Sequence, residues 1–154
     1  MENPRNKPLL LLSKLHVVRV GADGRPGPRL SGESSLTEFE RVWPLLEPAL
    51  VGGEHNKESV FFALGQGERL LWTGKASAVV TEIFTHPSGL KVMLIWLAGG
   101  DLEEFMPWLP AVENWGREHG ATEARISGRR GWMRKTGYKE LRTLMVKDLG
   151  HADA

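Results

Sequence analysis

Three side chains in this sequence have the type and setting to move protons: Glu82, His86 and Tyr138. Alternation over 78–85 predicts a strand that places Glu82 on the same face as Val80 and Phe84. Glu82 then either lines a cleft, where a partly desolvated carboxylate suits a general base acting on an ammonium, or sits at the exposed edge of an apolar stripe. His86 opens the turn His86-Pro-Ser-Gly89, and turn imidazoles are usually just solvated. Tyr138 is the only tyrosine; its hydroxyl is a candidate acid, and its ring is equally a candidate half-buried anchor. A second chemistry is anion binding. The apolar run 91–97 leads into Ala98-Gly-Gly-Asp101, followed by helical spacing at Leu102, Phe105, Met106, Leu109, Val112 and Trp115. A strand feeding a glycine turn and a helix start is a common anion site, because the first helical amides lack partners and the dipole is positive there. Gly99 and Gly100 would let the backbone approach a ligand, and Asp101 would cap the helix. The same junction is also ordinary α/β architecture.

Other chemistries drop out. With no cysteine, disulfides, thiolate zinc sites and a thiol nucleophile are excluded. The five histidines are scattered without metal-ligand spacing, so no metal is expected. The net charge of +1 gives no bulk pull toward nucleic acid or membrane. Arg125, Arg129, Arg130, Arg134, Lys135, Lys139 and Arg142 make the C-terminal third locally basic. They suit the phosphates of a ligand, a contact with nucleic acid or protein, or a solvated face offset by Glu113, Glu118, Glu123 and Glu140. The solvated face is the plainest of the three. The run Leu9-Leu-Leu-Leu12 is broken by Lys14, His16 and Arg19, too soon for a signal core or a membrane span.

The elements that must position these residues follow from period and punctuation. A strand is expected at about 15–20, then a Gly/Pro-dense stretch from Gly21 to Pro28. Residues 1–35 are expected as an arm and linker outside the main domain, the alternative being a first strand with a hairpin-like excursion. Leu36, Phe39, Val42, Trp43, Leu46 and Leu50 share a helical face, with Pro44 and Pro48 expected to break that helix in two. A short helix at 57–66 precedes three strands, at 70–72, 78–85 and 90–97. A helix to about 119 follows, bent by Pro107 and Pro110, then a strand at 123–127, a short helix at 131–136 and a last strand at 141–147. Trp96, Trp108, Trp115 and Trp132 are expected mostly as core anchors.

That order resembles the GNAT fold of acyl-CoA N-acyltransferases over residues 36–148. Its most specific stretch is Glu123-Ala-Arg-Ile-Ser-Gly-Arg-Arg-Gly-Trp-Met-Arg-Lys-Thr-Gly-Tyr138, where strand, short helix and Gly-Tyr resemble the family's last core segments. Trp43-Pro44, Leu71-Trp72, Val79-Val-Thr-Glu-Ile83 and Gly128-Arg-Arg-Gly-Trp132 look closer still to small GNAT-like proteins of tailed phages and prophages. The resemblance implies a single α/β (α+β) domain with a central mixed, largely antiparallel sheet flanked by helices, and a tail at 149–154. It implies acetyl-CoA in the splay between the strands at 90–97 and 123–128. Leu97, Ala98, Gly99, Gly100 and Asp101, with Arg129 and Arg130, would bind it, and Glu82, His86 or Tyr138 would handle protons for an amine acceptor. The setting would be the bacterial cytoplasm or a phage virion.

The pattern also departs from the family. The phosphate loop of the family reads Gln/Arg-x-x-Gly-x-Gly/Ala, whereas Leu97-Ala-Gly-Gly-Asp-Leu-Glu-Glu104 is shorter and carries three carboxylates. Met133 stands where many active members have an acidic tyrosine, and it has no proton to transfer. A non-catalytic virion or assembly protein that keeps the fold is therefore the alternative. Its self-association or its contact with phage structural proteins would run through residues 1–35.

Overall fold

The computed structural model describes residues 15–127 and 136–150. Six strands form one mixed sheet in the order β2-β1-β3-β4-β5-β6. β1 (Val17–Val20) and β2 (Pro26–Leu30) make an antiparallel hairpin, and β1 runs parallel to β3 (Arg69–Thr73). β3, β4 (Ser77–Thr85) and β5 (Lys91–Gly100) are the expected antiparallel meander. β6 (Glu123–Ile126) lies parallel to β5. The sheet is mixed and largely antiparallel, as expected.

Side-chain alternation sorts the strands onto two cores. Val17, Leu71, Ala78 and Val80 point to one face, where α1 (Glu33–Leu46) and α2 (Lys57–Leu64) bring Phe39, Val42, Leu46, Val60 and Leu64. Val18, Leu70, Trp72 and Val79 point to the other, met by Phe105 of α3 (Leu102–Phe105), Trp108, and Val112 and Trp115 of α4 (Leu109–Glu118). α2 starts on a capping box: the Asn56 side chain accepts from the Ser59 amide while the Ser59 hydroxyl accepts from the Asn56 amide. Pro107 and Pro110 split the long helix as expected, with a 3₁₀ turn (Met106–Trp108) between α3 and α4.

Three expectations are corrected. Residues 15–30 are not an arm; the alternative, a first strand with a hairpin, is what forms, with β1 between β2 and β3 and Leu15, Val17 and Val18 buried. Burial of three apolar side chains and two ladders of backbone bonds outweighs the Gly/Pro-rich turn that suggested a linker. Residues 1–14 lie outside the described part. Pro44 does not break α1, which runs on to Leu46 before a 3₁₀ turn (Glu47–Ala49). Pro44 is exposed, and within α1 it deprives the Glu40 carbonyl of its helical donor without ending the helix. The strand expected at 141–147 does not form; residues 137–150 carry neither helix nor strand. The short helix expected at 131–136 falls almost wholly outside the described residues.

Candidate active site

The last third of β5 departs from simple alternation. Val80 pairs with Leu97 but Thr81 pairs with Ile95, so Trp96 is an extra residue on β5. This bulge inverts the parity of everything after it. Met93 and Ile95 belong to the core under α4, while Leu97, also odd-numbered, belongs to the core under α1. Beyond it β5 continues through Gly99 and Gly100, paired with Ala78 and Ser77.

Those glycines are therefore not a turn. A Cβ on Gly99 would lie 1.8 Å from the Leu45 carbonyl oxygen of α1, and one on Gly100 would lie 2.1 Å from the Ala76 oxygen. Gly100 also holds φ 94°, a left-handed conformation that suits glycine. Their small size lets backbone meet backbone, helix on sheet and turn on strand. The sequence suggested approach to a ligand; the protein's own chain takes that space.

β6 pairs with β5 only from Val92 to Ile95. Past Ile95 the two strands part, and the groups β5 directs to that side have no partner in β6. A cleft of about 750 Å³ opens there. Val79, Ile95, Ala98 and Phe105 line it from the sheet and α3, Leu45 and Ala49 from the α1 end, and Ser127 from the end of β6. Its volume lies within the usual range for small-molecule sites, and its walls are mostly apolar. Among the described lining residues, Asp101 is the only ionisable one.

Asp101 caps α3 by accepting from the Glu103 amide at 3.0 Å, and its own amide donates to the Ala76 carbonyl at 3.0 Å. Glu104 turns back onto the β3–β4 hairpin, accepting from the Ala76 amide at 3.0 Å and from the Ser77 hydroxyl at 2.5 Å. The same hairpin is gripped from α1. Arg41 donates to the Gly74 carbonyl at 2.6 Å and the Lys75 carbonyl at 3.2 Å, and it pairs with the buried Glu38. Glu38 also accepts from Thr73 at 3.0 Å and pairs with Arg19 at 3.0 Å. Burial alone would raise the Glu38 pKa. The hydrogen bonds from Arg41 and Thr73, with the charges of Arg41 and Arg19, outweigh it and hold the carboxyl below the ordinary glutamate value. Sequence reasoning missed this network. Glu38 and Arg41, one turn apart on α1, were its local signal; their other partners, Arg19, Thr73, Gly74 and Lys75, lie far from them along the chain.

The structure does not bring the proton-moving candidates together. Glu82 lies opposite Arg69 on β3 and pairs with it at 2.8 Å; Arg69 also donates to the Ala63 and Gln66 carbonyls at the end of α2. It shares a face with Val80, whereas Val79 is the β4 residue that lines the cleft. His86 follows the far end of β4, about 23 Å along the chain from Val79 at strand spacing, with its ring against Phe84. Tyr138 packs beside the α4 core and donates its hydroxyl to Glu113 at 2.8 Å. Burial, then the hydrogen bond and charge of Glu113, push its pKa above the ordinary phenol value. None of the three lines the cleft. Of the expected binding residues, Ala98, Gly99, Gly100 and Asp101 do line it, while the Leu97 side chain is buried in the core under α1. Arg129 and Arg130 lie outside the described residues.

No family model matches the sequence, and no curated protein is similar to it. Solved structures are. A Pyrococcus furiosus protein provisionally named an acetyl transferase superposes with a TM-score of 0.57 at 18% identity, covering 78% of this chain and 97% of that one. An aminoglycoside acetyltransferase from an uncultured soil metagenomic sample, solved with sisomicin, gives 0.51 at 11% identity, covering 76% and 90%. The fold is GNAT-like. Among the described residues no helix is long and apolar enough to cross a membrane.

Proposed function

We propose that the protein is a GNAT-type acyltransferase that moves an acetyl group from acetyl-CoA to an amine. The observation that carries the reading is the apolar cleft where β5 and β6 part, on a fold shared with acetyltransferases. The donor's extended, amide-bearing arm would add along the side of β5 that has no β6 neighbour past Ile95. Backbone amides near Leu97 and Ala98 would then polarise the thioester carbonyl. A neutral amine nitrogen attacks that carbon; the C–N bond forms, the C–S bond breaks, and the thiolate leaves with the electron pair and takes up a proton. Among the described residues only Asp101 is ionisable along the cleft, so this reading assigns loss of the ammonium proton to water.

The residues fit the donor unevenly. The acyl and arm portions meet apolar walls, but at the start of α3 the Glu103 amide is already taken by Asp101. Cations for the diphosphate would come instead from Arg129 and Arg130, two and three positions after Ser127 in the chain. Calorimetric titration with acetyl-CoA tests the reading: saturable binding is expected, and none at millimolar ligand removes it. Asp101→Asn keeps a good cap while removing one negative charge. It should tighten acetyl-CoA roughly three- to tenfold, about 1 kcal/mol, if the diphosphate lies at this end. Unchanged affinity would place the phosphates elsewhere.

A second reading rests on the same Asp101 cap and on Met133: a non-catalytic descendant that serves as a virion or assembly component, in the host cytoplasm or in a phage particle. It predicts neither binding nor transfer.

A further inference from the structure

The last third of β5 divides the cleft into two sides that differ in exposure. On the α1 side it is lined by Leu45, Pro48, Ala49 and Val51, of which Pro48 and Val51 are exposed. On the α3 side it is lined by Val79, Ile95, Ala98, Leu102, Phe105 and Ile126, which belong to the core under α4 or pack against it. Val79, Ile95 and Phe105 are only 1%, 1% and 2% exposed, against 76% for Val51. One side is an open mouth and the other a dry floor.

The floor owes its shape to one small residue. Ala98 lies directly opposite Val79 in the β4–β5 ladder, and the bulge at Trp96 turns its side chain to the α3 side. A methyl group there leaves a notch beside Val79, Ile95 and Phe105 that a larger aliphatic side chain would fill. The notch offers nothing for a polar ligand group to meet. Every described side chain on it is aliphatic or aromatic, and among the described residues no buried side-chain nitrogen or oxygen lacks a partner. A hydrocarbon chain is what such a surface recognises.

We propose that the preferred acyl group is a hydrocarbon chain longer than acetyl, lying on this floor with Ala98 setting its length. The inference rests on the acyltransferase reading. With the thioester carbonyl held by amides near Leu97 and Ala98, its carbon sits on the boundary between the two sides. The amine acceptor has to arrive from water, and the open α1 side gives it that route; the acyl tail is left the dry one. An acetyl methyl would cover only the start of the floor, whereas each further methylene exchanges water for contact with Val79, Ile95 and Phe105. The bonds made and broken are those of acetyl transfer, and only the length of the group that moves differs.

Calorimetric titration of the full chain with acetyl-, butanoyl- and hexanoyl-CoA tests the inference. Affinity should tighten along the series, by about three- to fourfold for each methylene buried. Val79→Ala deepens the floor and should raise the hexanoyl-to-acetyl ratio, whereas Ala98→Leu should bring that ratio down to about one. The series in the parent protein decides even if either variant misfolds. Equal or falling affinity along it, with acetyl-CoA binding saturably, overturns the long-chain inference and leaves the acyltransferase reading standing. Binding of none of the three removes both. A hexanoyl preference that survives Ala98→Leu in a folded protein overturns the assignment to this floor.

Discussion

Glu38 is the one charged side chain that the described fold buries, and its environment makes a pH prediction. Its folded pKa is below its unfolded value, so it contributes stability that is present above the unfolded pKa, about 4.3, and lost as pH falls through the folded one. Glu38→Gln keeps a partner for Thr73 but loses both arginine pairings. We expect a loss of about 1–3 kcal/mol at neutral pH by urea denaturation, with the acid-side decline flattened. Glu82 leads to a different expectation. Held by Arg69 on the other side of the sheet from Val79, it is not placed to deprotonate an acceptor. Glu82→Gln should lower stability by about 1–2 kcal/mol and leave acetyl transfer unchanged from pH 6 to 9; a rate falling by about 100-fold or more would restore it as the base. Alternation placed Glu82 correctly beside Val80. It could not supply Arg69, because a cross-strand partner depends on register, and register is set by turns and burial rather than by either strand alone.

At the scale of elements, the meander, the two helices before it and the proline-split helix after it were legible, because each has a clear period or a clear breaker. The end of β5 was not. Two glycines after an apolar run read as a turn, yet they extend the strand because α1 and the β3–β4 hairpin press on it. Gly99→Ala should therefore push α1 off the sheet and cost about 1–3 kcal/mol in thermal or urea unfolding. Gly100→Val would be worse, with a branched side chain at φ 94° against the Ala76 carbonyl. Loss of ligand binding in that variant would report on the fold, not on a phosphate contact. A Gly99→Ala protein as stable as the parent would show that α1 can yield at Leu45.

For the whole molecule, the two ends of the chain were legible to different degrees. The N-terminal stretch read equally as a tethered arm or as a first strand with a hairpin, and it forms the strand; the C-terminal one read as a core strand, and residues 137–150 carry none. Which apolar strand finds a partner is decided by topology, and topology is not written in local composition. Removing residues 1–30 deletes both β1 and β2 and leaves β3 at the bare edge of the sheet. We expect that truncation to abolish cooperative thermal unfolding, whereas removing 141–154 should leave it intact, since none of the described sheet residues is lost. A folded N-terminal truncation would mean that β3 tolerates a bare edge.

The bulge at Trp96 has a practical corollary for anyone who alters the cleft. β5 is written in two reading frames: odd positions face α4 before Trp96, and even positions such as Ala98 join that side after it. Deleting one residue there would shift the second frame back into phase with the first. Leu97 and Ala98 would trade sides, and the cleft wall would turn inside out without a single side chain being changed. A library meant to reshape acyl selectivity should therefore vary Ala98 and hold the length of β5 fixed. Natural relatives that keep the cleft should likewise tolerate many residues at position 96, but not its loss.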